Sequence, residues 1–325
     1  MKLIVKRIFA VLMVTVMLIG AAPVAGLTGL FIKSEAVDHA VGDIVEFGSY
    51  PQSKVTDAST VSALNAAPQT WISYRYMSGA GTNWSDGSAQ PSDYMKYCDV
   101  TIGNTKYRGV RFSTYRPYCT NYQSTTSTSY TYQDDNGYNI NTTYWFQYEP
   151  LRWRVLDPDE GFIMCESLID SQAYSNTLSY YNNAYRNSTG AYASDYESSS
   201  LRAWLNDDFY NTAFNSSQQS KIKITHLENK STYSSTYDSA DTDDKVFLLS
   251  YWDAINTKYG FSSSYSTNDV NRRAQGTDYA KCQGLWVDRS SGSVYNGNSY
   301  WRLRSPSDSS HIKDCQLLWL RLLQP

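Results

Sequence analysis

The chain has little charge, few cysteines and almost no histidine, and each shortage removes a class of function. Of its 325 residues, 28 are Lys or Arg, 31 are Asp or Glu, and 3 are His. With no excess of positive charge there is no basic stripe for a phosphate backbone, so nucleic acid is not expected as a partner. Five cysteines (Cys98, Cys119, Cys165, Cys282, Cys315) are too few and too scattered for a disulfide framework. Cys98 and Cys119 flank a hairpin and could pair; the alternative is free or buried thiols. No cysteine precedes Cys98, which excludes a lipid-anchored cysteine near the N-terminus. His39, His226 and His311 are too far apart for a local zinc motif, and neither Cys-x-x-Cys nor His-x-x-x-His occurs. There is no Gly-x-Ser-x-Gly elbow to carry a Ser-His-Asp site. No fixed-period repeat and no Pro-rich linker divides the chain.

What is present is enough apolar material, 41% of residues, to build a substantial core in one large or two modest domains. Residues 1–36 stand apart from it. Lys2, Lys6 and Arg7 precede an uncharged run from Ile8 to Ile32, broken by Gly20 and Pro23. A basic start followed by an apolar run is an export signal, with cleavage expected after Ala25 or after Ala36. A retained membrane anchor is the alternative, and would be the chain's one membrane contact. Removing residues 1–36 takes four basic residues from 28 and one acidic residue from 31, leaving a mildly acidic chain of 24 against 30. The expected location is extracellular or at the cell surface, and residues 37–325 are expected to form a single domain.

The centre of that domain is predicted at Trp145–Asp170. Leu151, Trp153 and Val155 alternate with Arg152 and Arg154, the period of a half-buried strand. Asp157 to Gly161 supplies turn chemistry, and the unbroken run Phe162 to Cys165 predicts a strand covered on both faces. Val41 to Gln52 predicts a strand stopped by Gly48 and Pro51. Tyr94–Ile102 and Thr105–Phe112, joined by Gly103-Asn104, predict a hairpin. Leu201, Trp204, Leu205 and Phe209 mark one face of a helix capped by Ser199 or Ser200, with a break near Asn211. A short helix at 217–221, a strand through Ile222 and Ile224, a strand at 245–250, a short helix at 251–259 closed by Gly260, and a strand at 299–305 follow. The Ser-, Thr-, Tyr- and Asn-rich tracts 113–143 and 171–198 are expected as surface loop insertions. Strands bracketing one or two short helices, with long polar loops, indicate an α+β class.

Taken together, Gly42-Asp-Ile-Val-Glu-Phe-Gly-Ser-Tyr-Pro-Gln52, Trp153-Arg-Val-Leu156, Ser200-Leu-Arg-Ala-Trp-Leu-Asn206, Thr277-Asp-Tyr-Ala280 and Trp301-Arg-Leu-Arg-Ser-Pro306 resemble a domain-of-unknown-function family of secreted bacterial proteins. The resemblance runs from about Val41 to Pro306. It implies a Gram-positive extracellular module with a C-type-lectin-like fold, similar to formylglycine-generating enzymes and phage-style variable binding proteins. It carries over no catalytic residue. Because lectin-like folds bind through their late loops, it points to Trp286, Asp288, Tyr295, Asn298 and Arg302 as ligand-binding residues, with a glycan or a surface protein as partner. The 29 Tyr among abundant Ser and Asn agree with binding loops, Tyr offering rigid amphipathic contact area.

Asp238, Asp241, Asp243 and Asp244 crowd one loop and are weak candidates for calcium, but the glycine and terminal glutamate of an EF-hand are missing. No other cofactor is expected. The Glu-Pro-Asn and Trp-Asn-Asp tripeptides of lectin calcium sites do not occur. An enzyme on the same fold, using a carboxylate pair or a thiol that sequence cannot locate, is the competing reading. The resembling family continues past its Trp-Leu-Arg-Ser-Pro segment with further strands. Asp314 to Pro325 departs from that pattern and is expected to be a truncated or frame-disrupted tail that leaves a core strand unpaired; the alternative is a tail that folds back as a short amphipathic helix or strand and fills the gap.

Overall fold

The computed structural model describes residues 28–31, 39–74, 95–113, 115, 132–175, 178–182, 184–187, 189–266 and 268–315. In chain order the strands are β1 (Thr28–Phe31), β2 (Ile44–Lys54), β3 (Ile72–Ser73), β4 (Met95–Ile102), β5 (Thr105–Phe112), β6 (Tyr144–Asp157) and β7 (Phe162–Cys165). They continue with β8 (Leu178–Tyr181), β9 (Ala184–Asn187), β10 (Thr225–Leu227), β11 (Thr242–Asp244), β12 (Phe247–Leu248), β13 (Trp301–Pro306) and β14 (Ile312–Cys315). Helices are few and short, so the architecture is mixed α+β and dominated by antiparallel strands.

β6 organises the main sheet. Phe146 is paired both with Lys54 of β2 and with Arg108 of β5, and Trp153 both with Val45 of β2 and with Cys165 of β7. A strand has two edges, so β2 occupies one edge of β6 while β5 and β7 divide the other. The sheet then reads β12-β1-β7-β6-β5-β4-β3, with β2 on β6. Side chains of β6 alternate as a pleated strand requires: Phe146 enters the main core, and Trp145 enters a smaller cluster with Leu64, Cys98 and Val100. Leu64 comes from the helix Ala58–Ala66, which Asp57 caps by accepting from Thr60 N. The main core joins Trp153, Phe162, Trp204, Phe209, Phe214, Phe247 and Tyr279; truncating such a side chain costs about 3–5 kcal/mol.

The family-like segments turn out to be the pins of this core. Ser199 caps the helix Ser200–Trp204, which runs without a break at Asn211 through a π-turn at Leu205–Phe209 into Tyr210–Ala213. From it, Asn206 accepts from Lys245 N and Val246 N and donates to Val246 O, holding the chain where it enters β12. Arg202 pairs with Asp244 at 2.7 Å. Trp301 Nε1 donates to Arg272 O, and Arg304 Nη1 donates to Leu248 O and to Asp253.

Several expectations change. Gly48 and Pro51 do not stop β2, which continues to Lys54 with a register shift at each. Gly48 has a φ of +81° and lies so close to Phe214 that a Cβ would meet its ring at 2.6 Å. The strand expected through Ile222 and Ile224 forms instead at Thr225–Leu227, and the helix expected at 251–259 is two 3₁₀ turns, Asp253–Ile255 and Thr257–Tyr259, closed by Gly260. The polar tracts are not simply surface loops: Gln133, Tyr138 and Tyr196 are buried, a Tyr ring being able to fill apolar space, and the Tyr138 hydroxyl donates to Asp278 O. Residues 114 and 116–131 of the first tract lie outside the described residues.

Three further expectations meet the structure at their edges. Cys98 is a free buried thiol, its pKa pushed up to about 11 by burial, and Cys119 lies outside the described residues. The folded part begins upstream of the expected boundary at Val37, since Thr28–Phe31 lie in the sheet. Asp314 and Cys315, expected in the aberrant tail, pair with Arg302 and Trp301 instead; the tail from residue 316 on lies outside the described residues.

Candidate functional site

The five late-loop residues expected to bind ligand lie in one stretch, but their polar groups are largely occupied in holding it together. Asp288 N donates to Asn298 O and Gly297 N donates to Asp288 O, both at 2.8 Å. The Asp288 carboxylate accepts from Ser290 N and from Ser293 Oγ, which hold it below the usual carboxylate range. Asn298 donates to Tyr295 O. Trp286 stacks on Tyr300 at 4.4 Å, and the Arg273 guanidinium sits 5.7 Å from the Tyr295 ring. Arg302 lies on β13 opposite Asp314.

The four aspartates considered for calcium are not brought together as a ligand set. Asp238 accepts from Ser231 N, Asp241 and Asp243 flank His226, and buried Asp244 faces Arg202. Alternation along β11 sends Asp243 and Asp244 to opposite faces. Among the described residues no group of three or more His, Cys, Asp or Glu is arranged to hold a metal ion.

A concave site lies beside the late loop, at the β2 bulge. Between Pro51↔Tyr148 and Lys54↔Phe146, β2 carries two residues, Gln52 and Ser53, against the single Gln147 of β6. Proline has no N–H for the ladder and is found in strands at such bulges, which re-aim the side chains that follow. Gln52 and Ser53 are thereby turned into a cleft of about 210 Å³, completed by Ser167, Gln275, Gly276, Thr277 and Asp278. That is below the roughly 300–1,000 Å³ of pockets for drug-sized ligands, and suits a single ring or side chain. The wall at 275–278 is held from both sides: Leu168 N donates to Gln275 O, Thr277 N donates to Leu168 O, and Gln275 bridges to Asn298 of the late loop. Gly276 packs closely there: a Cβ would come within 2.1 Å of the end of the Leu285 side chain, which would have to shift. Thr277 then caps the helix Asp278–Cys282.

Every side chain lining the cleft is an amide, a hydroxyl or a carboxylate. Gln52 is 1% exposed, and its Nε2 donates to Glu149 O at 2.8 Å and Pro150 O at 3.2 Å. Those two carbonyls fix the amide, since flipping it would set oxygen against oxygen. Its Oε1 is left buried with no hydrogen-bond partner. An orphaned buried acceptor costs about 1–3 kcal/mol. Asp278 accepts from Lys54 N and lies 3.6 Å from Lys281 Nζ. Glu149, bonded by Ser53 Oγ at 3.1 Å, has its pKa raised by burial and by the Asp278 carboxylate, against the lowering effect of Ser53.

Behind the cleft lies a polar network whose hydrogen bonds mostly join residues far apart in the sequence. Tyr50, two residues before Gln52, donates to Asp170 at 2.8 Å; burial and Asp170 raise its pKa well above that of an ordinary phenol. Tyr279, next to Asp278, shares a hydrogen bond with Tyr74, which accepts from Gln283 at 2.7 Å. Arg108 makes a two-point pair with Asp99 at 2.8 and 3.0 Å, and Tyr148 donates to the same carboxylate. Burial alone would lower the Arg108 pKa, but the surrounding phenol and carboxylate oxygens hold it well above its usual value.

Sequence reasoning missed Gln52, Ser53, Ser167, Gln275 and Asp278 as site residues. The available signal was a proline inside an alternating strand, which marks a bulge as readily as an end. No curated protein and no solved structure gives a significant match to the chain. The segments at Ser200–Asn206, Thr277–Ala280 and Trp301–Pro306, together with the 275–278 wall of the cleft, all fall within the matched part of the chain, whereas the β2 and Trp153–Leu156 segments precede it: a domain of unknown function, DUF6273, is found at residues 162–316.

Proposed function

We propose that the chain is a non-enzymatic extracellular binding module with a C-type-lectin-like domain, and that its ligand is a glycan seated in the cleft at the β2 bulge. The carrying observation is the lining of that cleft, where Gln52, Ser53, Ser167, Gln275, Thr277 and Asp278 bring together amide, hydroxyl and carboxylate side chains. Such a wall is rich in acceptors, which suits the hydroxyl donors of a sugar ring. The half-exposed Trp286–Tyr300 stack on the adjoining loop offers an aromatic face to a neighbouring residue of the same glycan.

The Glu149 and Asp278 carboxyl groups favour a second reading, an extracellular enzyme. One of them holds its proton to higher pH in part because of the other, the asymmetry that acid–base pairs use. Glycan-array binding of the exported protein, with and without chelator, separates the readings. Saturable binding without product, unaffected by chelator and reduced at least tenfold in Gln52→Leu and in Ser53→Ala, is the expected result. Product formation would replace the binding reading with the enzymatic one; a protein ligand alone would remove the glycan.

A further inference from the structure

The apolar N-terminal run that the sequence marks for export extends into a strand of the fold. β1 is hydrogen-bonded on both edges, to β7 at Gly29↔Met164 through Phe31↔Phe162 and to β12 at Thr28↔Leu248 and Gly29↔Phe247. Leu30 has no exposed surface. Phe31 stacks on Phe162 at 4.5 Å, and its carbonyl accepts from Lys223 N at 2.8 Å. Gly29 lies so close to Phe162 that a Cβ would meet the ring at 2.7 Å. Among the described residues, β1 is the strand that links β12 to the rest of the sheet.

A cut after Ala36 would remove all of this. It would leave the β7 edge and the apolar groups of Phe162 and Phe247 uncovered. A cut among the small residues Ala22, Ala25 and Gly26 leaves β1 intact. It also gives a leader of ordinary length, since export signals run to about 15–30 residues and Ala36 lies beyond that span.

We propose that the chain is matured by hydrolysis of one peptide bond between Ala22 and Leu27, upstream of β1, so that the first strand of the mature protein completes its central sheet. The cut consumes one water and leaves a carboxylate on the leader and a free amine on the mature chain. This inference rests on the export reading above but not on the ligand.

The test is to express the full-length gene in an exporting bacterial host and determine the N-terminus of the exported protein by mass and Edman sequencing. The expected start lies between Pro23 and Leu27. A start at Val37, or anywhere beyond Thr28, overturns the inference and leaves export standing; an uncut chain overturns the processing step. Full-length Leu30→Ala, exported in parallel, gives an independent readout. If β1 belongs to the mature fold, its melting temperature falls by several degrees or more, on the order expected for losing a buried side chain in a domain of this size. An unchanged melting temperature means that Leu30 is not part of the mature protein, and overturns the proposal. Glycan binding by the wild-type protein is scored separately, so a failed ligand reading does not touch this result.

Discussion

Two carboxyl groups show how differently the cleft and the late loop are built. Asp288 in the loop receives hydrogen bonds from Ser290 N and Ser293 Oγ, and its pKa falls. Glu149 beside the cleft is partly desolvated and faces Asp278, and its pKa rises despite a bond from Ser53. The loop meets its own hydrogen-bonding needs, whereas the cleft has acceptors to spare. A region of the first kind keeps a shape, and one of the second kind takes a ligand that brings donors.

The largest test of this contrast goes to the network supporting the cleft. Arg108→Met removes the two-point partner of Asp99, a partly exposed carboxylate that keeps Tyr148 and, at 2.9 Å, Lys106. Hydrogen bonds to a charged group are worth about 1.5–3 kcal/mol, a loss readable as a lower urea midpoint. Arg108→Met combined with Asp99→Leu should recover part of the loss, because the carboxylate that lost its two-point partner is then replaced as well. If the double variant is as unstable as the sum of the single changes, the network is held by packing and the account of it given above is wrong.

A smaller effect belongs to the late loop. Trp286→Ala ends the stack with Tyr300, and Tyr295→Ala ends the contact with Arg273. Pairs of this kind are worth about 0.5–1.5 kcal/mol, so thermal stability should change little. Glycan affinity should fall several-fold in Trp286→Ala and hardly at all in Tyr295→Ala, whose ring is engaged by Arg273. Equal losses in both would return the site to the loop tip and away from the cleft.

The contrast also marks where sequence could and could not be read. The β4–β5 hairpin and the buried β7 were legible because each is set by a local pattern: Gly103-Asn104 between two alternating runs, and four apolar residues after a turn. β2 was legible as a strand, but Pro51 read as its end, since a missing N–H looks the same at a terminus and at a bulge. The cleft itself was not legible. Gln52 meets Gln275 and Asp278 only through the fold, and nothing within a few residues of either announces the other. The Tyr-rich tracts misled for a physical reason, because Tyr138 and Tyr196 are as able to line a core as to coat a surface.

The smallest expected effect is the sharpest test of the contrast, because only its sign matters. Asp288 has a depressed folded pKa, so the stability it contributes is present above its unfolded pKa of about 3.9 and is lost as pH falls through the folded value. Glu149 has a raised folded pKa, so the folded state binds its proton more tightly than the unfolded one does. Its contribution is fully present below an unfolded pKa of about 4.3 and is lost as pH rises through the folded value. Asp288→Asn should therefore lower the melting temperature at pH 7, and the deficit should shrink on acidification as the wild-type carboxylate is itself neutralised. Glu149→Gln should raise the melting temperature at pH 7 by roughly a degree or two, and the gain should vanish below about pH 4. Melting curves of both variants across pH 3–8 check the two slopes. Opposite signs are what a satisfied loop and an acceptor-rich cleft require, because the first binds its anion and the second repels it. Slopes of the same sign would mean that Glu149 is as well provided for as Asp288, and the cleft would lose its claim to a donor ligand.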